Sequence, residues 1–293
     1  MPEEGVEWKP RNEILSLEEV EMLVRLFVRL GVNKVRLTGG EPTVRKGYVQ
    51  LVASLGKVVP VHLTTNGTLL TDHANDLVSA GLSSVNVSCD SLQAERFADV
   101  TRRDALDLVI SGIESAIDAG IQTKLNVVVM RGFNEDEIPS FIDFAAEHGI
   151  EVRFIEFMPF LGNQWKPDLV VPHRDLLNTA SEHRSLVAIS SHSNDVARSY
   201  IIEGTKGRVG FISSVTDSFC GGCNRLRLTA DGQLKTCLFL PPRSSLRDLL
   251  RSGASAEAIV RTIKDDLNTK WEAHPPMHRW AQTDILSMVQ IGG

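Results

Sequence analysis

The sequence predicts an α/β protein, a parallel sheet with helical crossovers followed by a β-rich C-terminal appendage. Two observations carry this. Between residues 17 and about 157, segments of helical and strand periodicity alternate through five βα-type cycles separated by short turns, and neighbouring parallel strands need such crossovers. After residue 158 the alternation stops, Gly162, Pro167 and Pro172 punctuate a loop, and short strand-like runs take over.

Taken in order, Ser16 is placed to cap a helix over 17–30, where Val20, Leu23, Val24, Phe27 and Val28 recur at helical spacing. Residues 34–38 read as a short strand ending at Gly39-Gly40. A helix at 49–55, a strand at 61–65, a helix at 70–80 and a strand at 84–89 follow. Then come a helix around 106–119, a strand at 124–130, a helix around 137–148 and a strand at 152–157. Further strand-like runs lie at 199–202, 208–212, 226–229 and 234–239, with Asp231-Gly232 as a hairpin turn between the last two. Helical segments at 246–251 and 256–267 precede a polar tail ending in Gly292-Gly293.

Periodicity does not decide between an open sheet and a barrel. In both, ligands bind at the C-terminal ends of parallel strands, and polar residues cluster there: Gly39-Gly40-Glu41-Pro42, Thr64-Thr65-Asn66-Gly67, Ser88-Cys89-Asp90 and Glu156-Phe157-Met158. Turn and cap roles account for Thr65, Asn66 and Gly67 taken singly.

At 293 residues, 42% hydrophobic and 23% charged, the composition is that of a globular protein, with room for one barrel and a small appendage. The net charge of -6 argues against broad capture of nucleic acid or of an anionic membrane, so neither is expected as a partner. Any phosphate ligand must be met by a local group of Lys and Arg. No signal peptide or apolar run of transmembrane length is visible.

Three of the four cysteines, Cys220, Cys223 and Cys237, are spaced C-x2-C-x13-C. Thiolates in such a group select zinc or an iron-sulfur cluster, and three of them leave one coordination position open. Arg225 and Arg227 stand beside them in sequence and suit an anionic ligand there. A disulfide framework fits poorly with so few cysteines. A zinc knuckle completed by a histidine such as His192 stays open, and Cys89, in an apolar run, reads as a small core residue.

Leu37-Thr-Gly-Gly-Glu-Pro42, Thr64-Thr-Asn-Gly67, Asn86-Val-Ser-Cys-Asp-Ser91, Arg153-Phe-Ile-Glu-Phe-Met158, the cysteine triplet with Asn224-Arg-Leu-Arg227, and the terminal Gly-Gly together resemble one family along the whole chain. It is the GTP 3′,8-cyclase (molybdenum cofactor biosynthesis protein A) family of radical S-adenosylmethionine enzymes. The resemblance implies an incomplete (β/α) TIM-type barrel over 1–160 and an Fe-S and GTP-binding region over 161–293. It also implies that Gly40, Ser88 and Met158 contact S-adenosylmethionine. Gly39, Glu41 and Pro42 complete a turn whose backbone approaches the methionine amino group, where a Cβ would obstruct. Lys34, Arg36, Thr64, Lys124, Arg153, Arg225 and Arg227 match positions that hold GTP. Arg225, Arg227, Gly292 and Gly293 match catalytic positions, although a frayed terminus is the plain alternative for the two glycines. Cys220, Cys223 and Cys237 match the ligands of a 4Fe-4S cluster whose open iron takes the purine.

The chemistry so implied is removal of a ribose C3′ hydrogen by a 5′-deoxyadenosyl radical and attack of the carbon radical on guanine C8, opening molybdenum cofactor biosynthesis. Implied partners are GTP, an electron donor and the next enzyme, cyclic pyranopterin monophosphate synthase; a homodimer is left open. Residues 157–165 look like the eukaryotic members, implying the mitochondrial matrix, with a bacterial cytoplasm as the alternative. One departure matters. The family's C-x3-C-x2-C, which ordinarily precedes Met-Pro-Glu-Glu-Gly-Val, is absent from these 293 residues. A second 4Fe-4S cluster is therefore expected only where that motif is present, and the chain as it stands is expected to lack the first barrel strand and to be inactive. Two rival readings are a non-catalytic isoform that binds GTP or a metal as a scaffold or regulator, and a zinc-binding α/β protein without a cluster.

Overall fold

The structure, a computed structural model, describes residues 9–190, 194–217 and 219–273. Helix α1 (Leu17–Arg29) starts at a capping box, in which Glu19 N–H donates to Ser16 Oγ and Ser16 N–H to the Glu19 carboxylate. The alternation then runs β1 (Val35–Leu37), α2 (Tyr48–Gly56), β2 (Val61–Thr65), α3 (Leu70–Ser79), β3 (Leu82–Ser88), α4 (Ala94–Thr101), α5 (Leu106–Asp118), β4 (Gln122–Val129), α6 (Ile138–His148) and β5 (Glu151–Glu156). It continues with α7 (His173–His183), β6 (Leu186–Ala188), β7 (Arg198–Ile202) and β8 (Arg208–Ile212). The remainder comprises β9 (Arg227–Leu228), β10 (Gln233–Lys235), β11 (Ser244–Ser245), α8 (Leu246–Arg251) and α9 (Ala256–Asn268).

The large sheet has the order β1-β2-β3-β4-β5-β8-β7-β6. Pairing is parallel from β1 to β5 and on to β8, then antiparallel through β7 to β6. Among the described residues β6 and β1 do not pair with each other, so the sheet is an incomplete barrel. The runs at 199–202 and 208–212, grouped by sequence with the appendage, extend this sheet instead; only β9, β10 and β11 form a separate one.

Two helices escaped the sequence reading. Phe97 alone is buried on α4, and Leu176 and Ala180 on α7. The strand expected at 234–239 ends at Lys235, after which the chain bends so that Phe239 and Leu240 pack on Phe160.

Alternation along the strands sorts the side chains. Val61, Leu63 and Thr65 on β2 and Leu125, Val127 and Val129 on β4 are buried, and the apolar ones pack in one core with Leu51, Leu55, Leu77, Ile113 and Phe141 of the helices. A second core joins Leu23, Leu26 and Phe27 of α1 to Leu234, Leu246, Ile259 and Ile263. Arg247 and Arg251 of α8 reinforce it by donating to the carbonyls of Glu13, Asn12 and Ile14. Helix α1 is thus the shared wall between barrel and appendage. No helix among the described residues is long and apolar enough to cross a membrane.

The turn after β2 lies tightly against α5: a Cβ at Gly112 would stand 2.3 Å from the Gly67 carbonyl oxygen and 3.2 Å from Leu70 Cβ. Both neighbours are fixed by the fold, so relief requires the helix to shift. Gly112→Ala is expected to lower the free energy of unfolding by about 1–3 kcal/mol, read from urea denaturation; an unchanged midpoint would contradict this packing.

Candidate functional site

The inward face of the barrel is polar. It presents Arg36 from β1, His62 and Thr64 from β2, Ser84 and Asn86 from β3, Lys124 and Asn126 from β4, and Glu151 and Arg153 from β5. The register aligns them in rows, Arg36 beside His62 beside Ser84, and Thr64 beside Asn86 beside Lys124 beside Glu151. Arg36 donates to Leu63 O at 2.9 Å and to Thr64 Oγ1 at 3.5 Å. Glu151 accepts from Lys124 Nζ at 2.5 Å, Arg153 Nε at 3.0 Å and Ser199 Oγ at 3.0 Å. His62 Nδ1 lies 2.7 Å from Ser84 Oγ. The side-chain carbonyl oxygens of Asn86 and Asn126 are buried with no partner among the described residues, an arrangement that favours a donor arriving from a ligand.

Electrostatics mark this lumen as cationic. Loss of water around the Arg36 guanidinium, aided by the charge of Arg153, draws its pKa down to about 10 although much of the side chain stays exposed. Burial, together with Arg36, Lys34 and Lys124, pulls His62 down to about 4, so the imidazole is neutral near pH 7. Lys124 is lowered by burial and by Arg153, which together outweigh its bond to Glu151. Burial would raise Glu151, but the charge and hydrogen bonds of Arg153 and Lys124 prevail and hold it at about 2. Lys34 is exposed at the margin of the group.

At the C-terminal rim, Gly39 has φ 106°, a conformation that favours glycine. A Cβ at Gly40 would meet no atom within 4 Å, so the obstruction expected there does not come from the protein. Pro42 opens a single 3-10 turn. Glu41 is fully engaged within the chain: its carboxylate accepts from Thr43 N at 3.0 Å, Thr65 Oγ1 at 2.7 Å and Asn66 N at 2.7 Å, binding the turn after β1 to the turn after β2. The turn roles of Thr65, Asn66 and Gly67 are evident, since Asn66 Oδ1 accepts from Thr68 N at 3.0 Å and Gly67 has φ 83°. Ser88 is exposed at the end of β3. Met158 packs with Cys237 against Phe160, Phe239 and Leu240, whose two stacked rings lie 5.7 Å apart.

Two further carboxylates were missed as organisers. Glu156, fully buried, accepts from Val215 N at 2.7 Å, Thr216 N at 2.9 Å and His173 N at 3.0 Å, tying the end of β5 to α7 and to the segment leading to the cysteines. Glu137, 1% exposed, accepts from Leu92 N at 2.7 Å, Ser91 Oγ at 2.8 Å and Arg96 Nη1 at 2.6 Å. Nothing in the local pattern singles out Glu137. His62 was legible in principle from the apolar-polar alternation of Val61-His-Leu-Thr-Thr65.

Cys220 and Cys223 flank one 3-10 turn, and Cys237 follows β10. Lys270 Nζ donates to Arg225 O at 2.9 Å and lies 3.6 Å from Cys223 Sγ, and Arg225 stacks over the Phe219 ring at 4.8 Å. Burial would raise the Cys223 thiol, but the Arg225 amide and the charges of Arg225 and Lys270 lower it. Arg227 is drawn down to about 10 by burial and by Arg225, against the pull of Cys223 and Cys237. Cys223 and Cys237 thus share one cationic neighbourhood, and thiolates so placed fit a thiolate-held group. Among the described residues, no three His, Cys, Asp or Glu side chains stand together as a ready-made metal site. Cys89 is core, with its thiol pushed up to about 12 by burial. His192, Gly292 and Gly293 lie outside the described residues.

Comparison with known proteins adds to this geometry. The Radical SAM superfamily model matches residues 3–145, and the Molybdenum Cofactor Synthesis C model matches residues 150–276. The chain is 44% identical to GTP 3′,8-cyclase, mitochondrial, of Arabidopsis thaliana, covering 100% of this chain and 76% of that protein. It is 43% identical to GTP 3′,8-cyclase of Thermodesulfovibrio yellowstonii, covering 92% and 86%. Against Molybdenum cofactor biosynthesis protein 1 of Drosophila melanogaster it is 44% identical over 94% of its own length, but spans only 49% of that protein. Among solved structures, Streptococcus suis SuiB shares the fold, with a TM-score of 0.50 at 17% identity over 58% of this chain and 40% of that one.

The Glu151 ion pairs carry a pH signature. Its folded pKa of about 2 lies below the ordinary 4.5, so its stabilisation is complete above pH 4.5 and is lost as pH falls toward 2. Wild type is expected to lose about 2–3 kcal/mol more than Glu151→Gln over that window, measured by urea unfolding at a series of pH values. Equal pH dependence in the two proteins would contradict the pairing.

Proposed function

The chain belongs to the GTP 3′,8-cyclase family of radical S-adenosylmethionine enzymes, and from that premise we propose that its polar lumen binds GTP for cyclisation in molybdenum cofactor biosynthesis. The observation that carries the reading is the convergence of Arg36, Lys124 and Arg153 on one inward face of a chain with net charge -6. A triphosphate bears about four negative charges and needs such a lining in an acidic protein. Arg36 is the most available of the three, since its described bonds go to neutral oxygens. The carbonyl oxygens of Asn86 and Asn126 offer acceptors to hydroxyl or amino groups of the nucleotide.

In this reading residues 1–160 carry the S-adenosylmethionine contacts, Gly39, Gly40, Glu41, Pro42, Ser88 and Met158, and the Glu41 carboxylate also holds their turn. Residues 161–293 carry Cys220, Cys223 and Cys237 for a 4Fe-4S cluster, with Arg225 and Arg227 beside it. Cys220, Cys223 and Cys237 would hold a cluster that offers an open iron to the purine, whereas the electron for S-adenosylmethionine would come from a cluster on a C-x3-C-x2-C motif that these 293 residues do not contain; the chain's own residues bind, orient and shield the substrate. An electron donor and the enzyme consuming the cyclic product complete the set of partners, in the mitochondrial matrix of a eukaryotic source or in a bacterial cytoplasm.

Anaerobic reconstitution with iron and sulfide is expected to load about four irons per chain, falling sharply in Cys237→Ser. These 293 residues contain no C-x3-C-x2-C, so the same sample should form no 5′-deoxyadenosine with dithionite. Stoichiometric zinc in place of iron, or deoxyadenosine from this chain alone, would contradict the assignment. For the lumen, titration calorimetry should show GTP binding that Arg36→Ala weakens by about 1.5–3 kcal/mol, as for loss of a charge-assisted hydrogen bond; unchanged affinity would place the triphosphate elsewhere.

A further inference from the structure

Glu151 is the one carboxylate among the described inward-facing residues of β1 to β5. Its Oε2 accepts from Lys124 Nζ at 2.5 Å and Arg153 Nη2 at 3.3 Å, and its Oε1 from Arg153 Nε at 3.0 Å and Ser199 Oγ at 3.0 Å. Neither cationic side chain has another hydrogen-bond or ion-pair partner among the described residues. The neighbouring strand makes room for the group: a Cβ at Gly210 would stand 3.0 Å from Glu151 Oε1 and 3.3 Å from Arg153 Cγ. The two oxygens thus occupy the positions on Lys124 and Arg153 that a phosphate would take, in a fork geometry that a phosphate shares.

We propose that Glu151 is a stand-in anion that holds Lys124 and Arg153 at the lumen wall and shares them with phosphate on nucleotide binding, so that it attenuates binding in proportion to ligand charge. This rests on the lumen being the nucleotide site. Coulomb energy scales with the product of the charges. A fixed carboxylate beside the cations therefore opposes a triphosphate more than a monophosphate, and removing its charge releases the most highly charged ligand most. A mere structural anchor would behave in the opposite way: its loss would misplace both cations and weaken every nucleotide. The sign and the ordering of the changes separate the two roles.

The test is titration of GTP, GDP and GMP into wild type and Glu151→Gln at fixed ionic strength without magnesium. All three are expected to bind more tightly to the variant, GTP by about tenfold, GDP by less and GMP by least. Glu151→Asp, which withdraws the charge by one methylene, should give the same ordering with smaller gains, and stands in if the glutamine protein does not fold. Weakening of all three nucleotides, no change, or an equal gain for each would overturn the role of Glu151. Wild type that binds none of them would overturn both this inference and the lumen reading beneath it.

Discussion

Arg36, Lys124 and Arg153 point into one barrel interior, where burial and the charge of Arg153 disfavour the charged forms of Arg36 and Lys124, and the carboxylate of Glu151 is what makes that arrangement tolerable. Its effect is local and incomplete. Lys124 and Arg153 are paired, whereas the Arg36 guanidinium and the neutral His62 are left in a positive field. A strand sequence that alternates apolar residues outward with charged residues inward would be a poor core for a closed, filled barrel. It suits a barrel whose interior receives a ligand, where the desolvation cost of the cations is offset on binding.

The loops above this interior are held by the same device. Glu41 links the turns after β1 and β2, Glu137 holds the turn after β3 to the start of α6, and Glu156 holds β5 to the segment before the cysteines. Each is a carboxylate accepting from backbone N–H groups and hydroxyls, which are strong hydrogen bonds when shielded from water. Loops at the end of a sheet normally trade order for access. Here three anions restore the order without covering the rim, and the Phe160–Phe239 stack brings Met158 and Cys237 into one cluster.

Much of this was legible in the sequence, for reasons that differ by element. The Ser16 cap and the apolar stripe of α1 are local signals, and the helix begins where they place it. The strands of the barrel announced themselves by apolar runs, and the residues past their ends were recognised as the rim. The sheet membership of β7 and β8 was not legible, because pairing with β5 is decided by register far along the chain. Helices α4 and α7 were missed although each has an apolar face of helical spacing, on which one and two side chains are buried. The cysteine spacing was plain, but the convergence of Cys223 and Cys237 on Arg227 is a property of the folded hairpin. Glu41 shows what motif reading leaves out: its place in Gly39-Gly-Glu-Pro42 points to a ligand, and nothing in that motif foretells the four bonds its carboxylate makes to the chain itself.

The described inward cations of this acidic protein lie on β1, β4 and β5, and the proposed reading puts the polyphosphate there. A structure determined with GTP bound tests that most directly. The account predicts phosphate oxygens within hydrogen-bonding distance of Arg36 and of Lys124 or Arg153, on the inward face beside Glu151. A triphosphate lying outside the barrel, with those three side chains still arranged as they are here, would contradict it.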